Sequence, residues 1–246
     1  EQRSGLPQVA RVYTAGQGIV YQNGYGGVVG INHPVSTTEE VVREVLDQKR
    51  KGVDVIKLWV DDEFGTMPLM PAEISEAAIA TAHAENLRVV AHIFKLEDAK
   101  KLAAQGVDGF VHSVRDQAID EEMLQLMREN ALWQVSSTLS REAAMFAYAQ
   151  RAPFLDDPFF TRSVPSSILE RLASPSHHEA VASGPHYGQF PGILANAKNN
   201  LKQVADAGVR FAFGTDSGPP GRFPGYAAHW ELQLMVESGL SPMQAI

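Results

Sequence analysis

A short pattern recurs three times in this chain, at Gly52-Val53-Asp54, Gly106-Val107-Asp108 and Gly208-Val209-Arg210. In each case a helix-like segment ends at the glycine and an apolar, strand-like run begins at the valine. Glycine is favoured just past a helix because it adopts the left-handed conformation without strain. Strands that alternate with helices usually pair in parallel, so the pattern indicates an α/β fold with short connections.

The hydrophobic pattern predicts six strands, beginning near Val9, Val53, Leu87, Val107, Ala131 and Val209. It predicts helices at Ser36–Gly52, Pro71–Asn86, Leu96–Gln105, Asp120–Asn130, Asn196–Ala207 and Tyr226–Ser238. The glycine-rich stretch from Gly16 to Gly30 is interpreted as a loop, because its spacing is not that of a dinucleotide-binding turn. A parallel barrel and a doubly wound open sheet are both compatible with this order.

Four polar side chains mark the ends of predicted strands. Lys57 closes GVDVIKLWV, His92 closes LRVVAHIF, His112 closes VDGFVHSV, and Asp216 follows VRFAFG in a turn flanked by glycines. The carboxyl ends of parallel strands form one rim, which is where α/β folds place their chemistry. Four such groups at successive strand ends favour a barrel rim over the open sheet.

These four residue types together can bind a divalent metal, because zinc accepts imidazole nitrogen and carboxylate oxygen. A protonated lysine is no ligand, but carbamylation by carbon dioxide would turn Lys57 into a carboxylate. Each residue also has an ordinary structural interpretation. Lys57 could pair with Asp54, Asp61 or Asp62, either histidine could be a hydrogen-bonded core residue, and Asp216 could cap a helix or fix a turn.

The segment Ser140–Gly192 interrupts the alternation of strands and helices. It contains many aromatic residues and six prolines. The prolines are Pro153, Pro158, Pro165, Pro175, Pro185 and Pro191. A connection this long is usually functional. We expect an insertion after the seventh barrel strand that forms short helices, such as Ser166–Ala173, and acts as a lid or substrate wall over the same rim.

The amino-acid composition narrows the classes of partner that this chain is expected to bind. The net charge is −8 and no basic patch suggests nucleic acid. No apolar run approaches the roughly 18 residues of a transmembrane helix, so a soluble chain of undetermined compartment is expected. The sequence has no cysteine, which excludes thiolate ligands. A small-molecule substrate is the expected partner, and homo-oligomerisation stays open.

The chain resembles the amidohydrolase superfamily, most closely its imidazolonepropionase-like and Xaa-Pro dipeptidase-like branch. The stretches that carry the resemblance are GVDVIKLWV, RVVAHIF, GFVHSVRD and FAFGTDSG, followed by HWELQLMVESGLSPMQAI. The resemblance implies a metal-dependent (β/α)8 barrel, with Lys57 as the carboxylated lysine of strand four. By the same match, His92 and His112 are the metal histidines of strands five and six, and Asp216 is the aspartate of strand eight.

The implied activity is hydrolysis of carbon–nitrogen bonds in cyclic amides or dipeptides by water activated on one or two metal ions, zinc being favoured. Asp216 takes the water proton in this scheme and passes it to the leaving nitrogen. Residues 1–246 match strands three to eight, so the first two strands and the flanking β-sandwich are missing from the match.

The His-x-His pair that the family carries on strand one is absent from this sequence. Both ends therefore look like cuts within a longer protein, and we expect the segment by itself to be a poor catalyst. Three alternatives stay open, namely a Xaa-Pro dipeptidase, an ester or phosphoester hydrolase on the same barrel, and a truncated, non-catalytic barrel.

Overall fold

A computed structural model describes residues 10–27, 31–136 and 138–246. The chain divides into two compact units, one up to Phe110 and the other from Val111 onwards. Strands alternate with helices in both units, as the glycine–valine pattern predicts. The α/β class is confirmed, and every strand pair with a defined register is parallel.

The first unit contains five strands in the order β2-β1-β3-β4-β5. They are β1 (Gly18–Tyr21), β2 (Asn32–Val35), β3 (Val55–Trp59), β4 (Arg88–His92) and β5 (Gly109–Phe110). In the central pair, Val55 lies opposite Arg88 and Trp59 lies opposite His92. This register brings the last residues of β3 and β4 side by side at the carboxyl edge of the sheet.

Three helices connect these strands, namely α1 (Thr38–Lys51), α2 (Ala72–Ala84) and α3 (Leu96–Ala104). The predicted helix Ser36–Gly52 is confirmed with its caps. The Thr37 side chain accepts a hydrogen bond from the backbone of Glu40, and Gly52 has a φ of 77°. That left-handed conformation favours glycine and explains why the chain turns into β3 at this residue.

The two faces of β3 differ in burial. Ile56 and Leu58 are fully buried, whereas Lys57 and Trp59 are partly buried. Successive side chains of a strand point to opposite faces. The apolar layer therefore fixes one face of β3 and leaves Lys57 and Trp59 together on the other.

The second unit contains two strands, β6 (Trp133–Val135) and β7 (Phe211–Ala212), which pair with Gln134 opposite Phe211. Its helices are α4 (Glu121–Glu129), α5 (Thr138–Ala147), α6 (Pro158–Thr161), α7 (Ser166–Leu172), α8 (Pro175–Ala182), α9 (Phe190–Asp206), α10 (Tyr226–Glu237) and α11 (Pro242–Ala245). Two 3-10 helices, Pro153–Asp156 and Tyr187–Gln189, lie between them.

The predicted insertion Ser140–Gly192 is a packed helical segment. The predicted short helix Ser166–Ala173 is confirmed as α7, and Tyr148, Phe160 and Leu172 are buried in one cluster. A separate cluster under α5, α9 and α10 includes Leu139, Leu201 and Met235. The second unit therefore has a core for the insertion besides the core beneath its main helices.

The beginning of the chain differs from the prediction. Val9 lies outside the described residues, and residues 10–14 are not a strand. The strand is instead β1, inside the glycine-rich stretch that was interpreted as a loop. Gly18 is needed there because a Cβ would lie 2.5 Å from both Asn32 Oδ1 and Trp59 Nε1.

The prediction of six strands is also wrong, since the described residues form seven. The missed strand β2 contains Pro34, a residue that normally excludes a strand from a sheet centre. β2 stands at the end of the strand order, where proline is tolerated because no neighbour needs its missing N–H group. The strand order within each unit is open, so a closed barrel stays a prediction.

The strand predicted from Val209 is shorter and less buried than its apolar pattern suggests. Only Phe211 and Ala212 pair, and Phe213 is 46% exposed. β7 is the last strand in the order, and an edge strand has one unpaired side.

In the part of the chain that the structure describes, each helix is too short or too polar to cross a bilayer.

Candidate functional site

His92 is the last residue of β4 and is 1% exposed. Its Nε2 atom lies 2.8 Å from Oδ2 of Asp61, two residues beyond β3. The other carboxylate oxygen of Asp61 accepts a hydrogen bond from the backbone N–H of Glu63. Asp61 thus fixes the His92 ring to the loop that follows the neighbouring strand.

Aromatic rings enclose the same histidine. The Trp59 ring stacks on His92 with centroids 4.8 Å apart, and the Tyr25 ring lies 5.2 Å from it. Register produces the stack, because Trp59 and His92 are Cα partners across β3 and β4. Asp61 and His92 are buried, Tyr25 and Trp59 are partly buried, and we call these four residues the His92 cluster.

Lys57 lies beside the His92 cluster. Its Nζ atom is 4.4 Å from the centroid of the Trp59 ring, a cation–π distance. Each aspartate that was considered as its ion-pair partner has another contact. Asp54 accepts the backbone N–H of Thr14, Asp61 contacts His92, and Asp62 pairs with Lys95.

His112 and the loop that follows it belong to the second unit, where His112 is 4% exposed. Two asparagines of α9 hold this loop. Asn200 donates to the carbonyl oxygens of Val114 and Gln117, and Asn196 donates to that of Arg115. The backbone after His112 is therefore anchored on α9.

Arg115 carries a buried charge in this loop. Its Nε atom lies 3.0 Å from Oε1 of Glu142 on α5, and the two side chains are 2% and 1% exposed. Arg141 also contacts Glu142. Burial of an unpaired guanidinium would be costly, so Glu142 is what allows Arg115 to lie in the interior.

Asp216 lies four residues beyond β7 and has a φ of 47°, a left-handed value that is uncommon for a non-glycine residue. Its Oδ2 atom is 2.5 Å from Nη1 of Arg222 and 3.6 Å from Nε of Arg141. The carboxylate is 40% exposed. Two guanidinium groups therefore compete with any other ligand for this residue.

Glu231 is a buried carboxyl group that sequence reasoning did not single out. It is fully buried on α10, and its Oε2 atom accepts the backbone N–H of Ser140 near the start of α5 at 2.7 Å. Burial raises the pKa of Glu231 to about 7, and the hydrogen bond from Ser140 opposes that shift only in part. Its place within the core makes it a tertiary cap of α5.

The four predicted site residues divide between the units, with Lys57 and His92 in the first and His112 and Asp216 in the second. Among the described residues, no three His, Cys, Asp or Glu side chains are grouped so that they could hold a metal ion. Lys57 lies over Trp59, and the Asp216 carboxylate is paired with arginine. The assignment of these four residues to a metal centre stays a prediction.

Of the four proposed residues, His92 has one contact that is typical of metal-bound histidines. Metal-bound histidines usually hold a carboxylate with their second ring nitrogen, as His92 does with Asp61. A metal ion at His92 would have to bind Nδ1, because Nε2 is occupied by Asp61. The signal for Asp61 in the sequence is its position two residues after a strand, but only the register shows that it meets His92.

Comparison with solved structures supports the resemblance seen in the sequence. A Xaa-Pro dipeptidase with bound methionine matches at a TM-score of 0.67 and 22% identity, over 99% of this chain and 56% of that chain. An amidohydrolase matches at a TM-score of 0.68 and 18% identity, over 99% of this chain and 56% of that chain. The A. niger ochratoxinase matches at a TM-score of 0.68 and 20% identity, over 95% of this chain and 51% of that chain.

The chain shares the fold of the matched part of these solved structures. It spans about half the length of these solved chains, as the coverage of 51–56% shows. Uncharacterized proteins of Mycobacterium tuberculosis and Mycobacterium bovis are 28% identical over 141 residues, which is 56% of this chain and 36% of theirs. No family model matches the chain.

Proposed function

We propose that the chain is part of a hydrolase of the amidohydrolase superfamily that cleaves carbon–nitrogen bonds in amide-like small molecules. The observation that supports this most is the likeness in fold to the dipeptidase and the amidohydrolase over 99% of the chain. The names of those two proteins describe hydrolysis of amide-type bonds, and we carry that reaction class to this chain. Cyclic amides and dipeptides are the proposed substrates.

The proposed reaction adds water to the amide carbon. The water oxygen forms a bond to that carbon, the carbon–nitrogen bond breaks, and the water proton passes to the leaving nitrogen. Asp216 is the proposed carrier of this proton, because a strand-end carboxylate can accept it and return it. Arg222 must release the Asp216 carboxylate for this role, since it holds Oδ2 at 2.5 Å.

The proposed metal ligands remain Lys57, His92, His112 and Asp216, with zinc as the proposed ion. Zinc would supply a water of lowered pKa when bound. We assign no step of the reaction to the metal. The contact of His92 with Asp61 supports His92 alone among the four.

The proposal is tested by assaying the purified intact protein of which this chain is part against Xaa-Pro dipeptides, cyclic amides, a carboxylic ester and a phosphoester. We expect turnover of an amide and a loss of about 100-fold or more in kcat for Asp216→Asn, the usual effect of removing a general base. Asp206→Asn is the control, since this exposed aspartate of α9 contacts Lys202. Equal activity of both variants, or turnover of the esters alone, would contradict the proposal.

Metal content provides a second readout that does not depend on the substrate. We expect elemental analysis of the purified intact protein to find zinc, and less of it in His92→Asn and in His112→Asn. His83→Asn is the control, because His83 is 42% exposed on α2 and pairs with Asp108. Unchanged zinc content in both buried-histidine variants would show that the ligand assignment is wrong.

A further inference from the structure

A cavity of about 650 Å³ opens within the second unit, apart from the four proposed site residues. It is bounded by the end of α5, the 3-10 helix Pro153–Asp156 and the first turns of α10. Its volume lies within the range of small-molecule sites. Neither His112 nor Asp216 contributes to its lining, so the cavity calls for its own explanation.

Three aromatic rings form one wall of the cavity. Tyr226 and Trp230 are four residues apart on α10 and so share one face of that helix. The Phe154 ring lies with its centroid 5.2 Å from the centroid of each of them. Tyr187 adds a fourth ring from the other 3-10 helix. A ligand in the cavity would therefore contact several aromatic rings.

A carboxylate completes the lining. Asp157 is the charged residue among the twelve described residues that line the cavity, and the other polar groups are neutral, including Gln150 and Gln233. Its side chain is held in place, since Oδ1 accepts the backbone N–H of Phe159 at 2.8 Å. Burial and then the negative charge of Asp157 raise the pKa of Tyr226, which places that charge close to the aromatic wall.

Aromatic faces and a fixed negative charge attract the same kind of ligand. The faces of tryptophan and tyrosine rings carry negative potential and attract a cation within about 6 Å. A neutral apolar ligand would gain the contacts but would desolvate Asp157 without a counter-charge. An anion would be repelled by both features.

We propose that this cavity binds an organic cation of the substituted-ammonium type, with Phe154, Tyr226 and Trp230 around the charged group and Asp157 as its counter-ion. The inference does not depend on the hydrolase activity. It concerns a binding site in the second unit, and binding is measured without turnover.

The test compares two ligands of nearly equal shape by calorimetric titration of the whole protein. Choline carries a trimethylammonium group, and 3,3-dimethylbutan-1-ol carries a neutral tert-butyl group in its place. We expect choline to bind about tenfold or more tightly than the alcohol, the effect of a desolvated cation–π contact with a counter-ion. Equal affinities, or no choline binding, would overturn the proposal.

Two variants test whether choline binds in this cavity. Trp230→Leu removes the ring but keeps an apolar side chain, and we expect choline to bind about tenfold more weakly. Phe213→Leu is the control, since this aromatic residue is 46% exposed and lies outside the lining.

Asp157→Asn removes the charge and keeps an oxygen that can accept the Phe159 N–H group, so the local fold is retained. It should weaken choline binding several-fold and leave binding of the alcohol unchanged. Unaltered choline binding in Asp157→Asn contradicts the proposal even if Trp230→Leu fails to fold.

Discussion

The two units of the chain bury polar groups in different ways. The first unit buries an imidazole against a carboxylate, His92 and Asp61, with the Trp59 ring stacked on the imidazole. The second buries a guanidinium against a carboxylate, Arg115 and Glu142, and in addition the carboxyl group of Glu231. An imidazole can lose its proton and remain as a neutral hydrogen-bonding group, whereas a guanidinium stays charged at any ordinary pH. The second unit should therefore depend more strongly on charge pairing.

The largest effect is expected from Glu142→Gln. This change removes the counter-charge that Glu142 provides to Arg115, which is 2% exposed and whose Nε atom lies 3.0 Å from Oε1 of Glu142. Removal of one partner of a buried ion pair costs about 3–5 kcal/mol. Chemical denaturation of both proteins should show that loss in the free energy of unfolding.

Arg151→Gln is the matched control for this ion pair. It breaks the pair of Arg151 with Asp156 in the same unit, where the side chains are 53% and 68% exposed. Exposed pairs contribute about 0–1 kcal/mol, so this variant should unfold almost as the parent does. A loss of similar size in the two variants would mean that burial is not the reason for the dependence.

Glu231 should make the stability of the second unit depend on pH. Its pKa is near 7 when the chain is folded and near the ordinary value of 4.5 when it is unfolded. Between these two values the folded state binds more protons, so the contribution of Glu231 to stability falls as the pH rises from 4.5 to 7. The cost of burying the ionised Glu231 carboxylate is fully present above pH 7 and amounts to roughly 3 kcal/mol in the free energy of unfolding.

Glu231→Gln removes this titration and keeps an oxygen for the Ser140 N–H group. We expect the variant to gain stability relative to the parent as the pH is raised from 5 to 8, by up to roughly 3 kcal/mol. Urea unfolding at several pH values measures the difference between the two proteins. A constant difference across this range would show that the pKa of Glu231 is not raised in the folded chain.

Sequence patterns predicted those features that depend on neighbouring residues. The caps of α1 and the position of His92 at a strand end depend on residues a few positions apart, and the structure has both. β1 and β2 escaped prediction because Gly18 and Pro34 disfavour strands, and only the sheet around them makes these residues suitable. Contacts that depend on tertiary packing could not be predicted. Asp61 and His92 are 31 positions apart, and Ser140 and Glu231 are 91 apart.

The smallest of the three effects is expected in the first unit, from Asp61→Ala. The change removes the partner of His92 Nε2 and leaves a buried imidazole group without that hydrogen bond. Loss of one partner of a buried hydrogen bond costs about 1–3 kcal/mol. The cost should be below that of Glu142→Gln, because His92 can adopt its neutral form and stay stacked on Trp59.

His83→Ala is the comparison for Asp61→Ala, since it also breaks a histidine–aspartate contact of the first unit, at 2.9 Å, but at a site where the histidine is 42% exposed. It should change the free energy of unfolding by no more than about 1 kcal/mol.

Asp61→Asn separates charge from hydrogen bonding, because the amide oxygen still accepts from a protonated Nε2. We expect this variant to recover most of the stability lost in Asp61→Ala, measured by urea unfolding at pH 8. Failure to recover it would mean that the negative charge of Asp61, and therefore a cationic His92, stabilises the first unit, and the contrast drawn with the second unit would not hold.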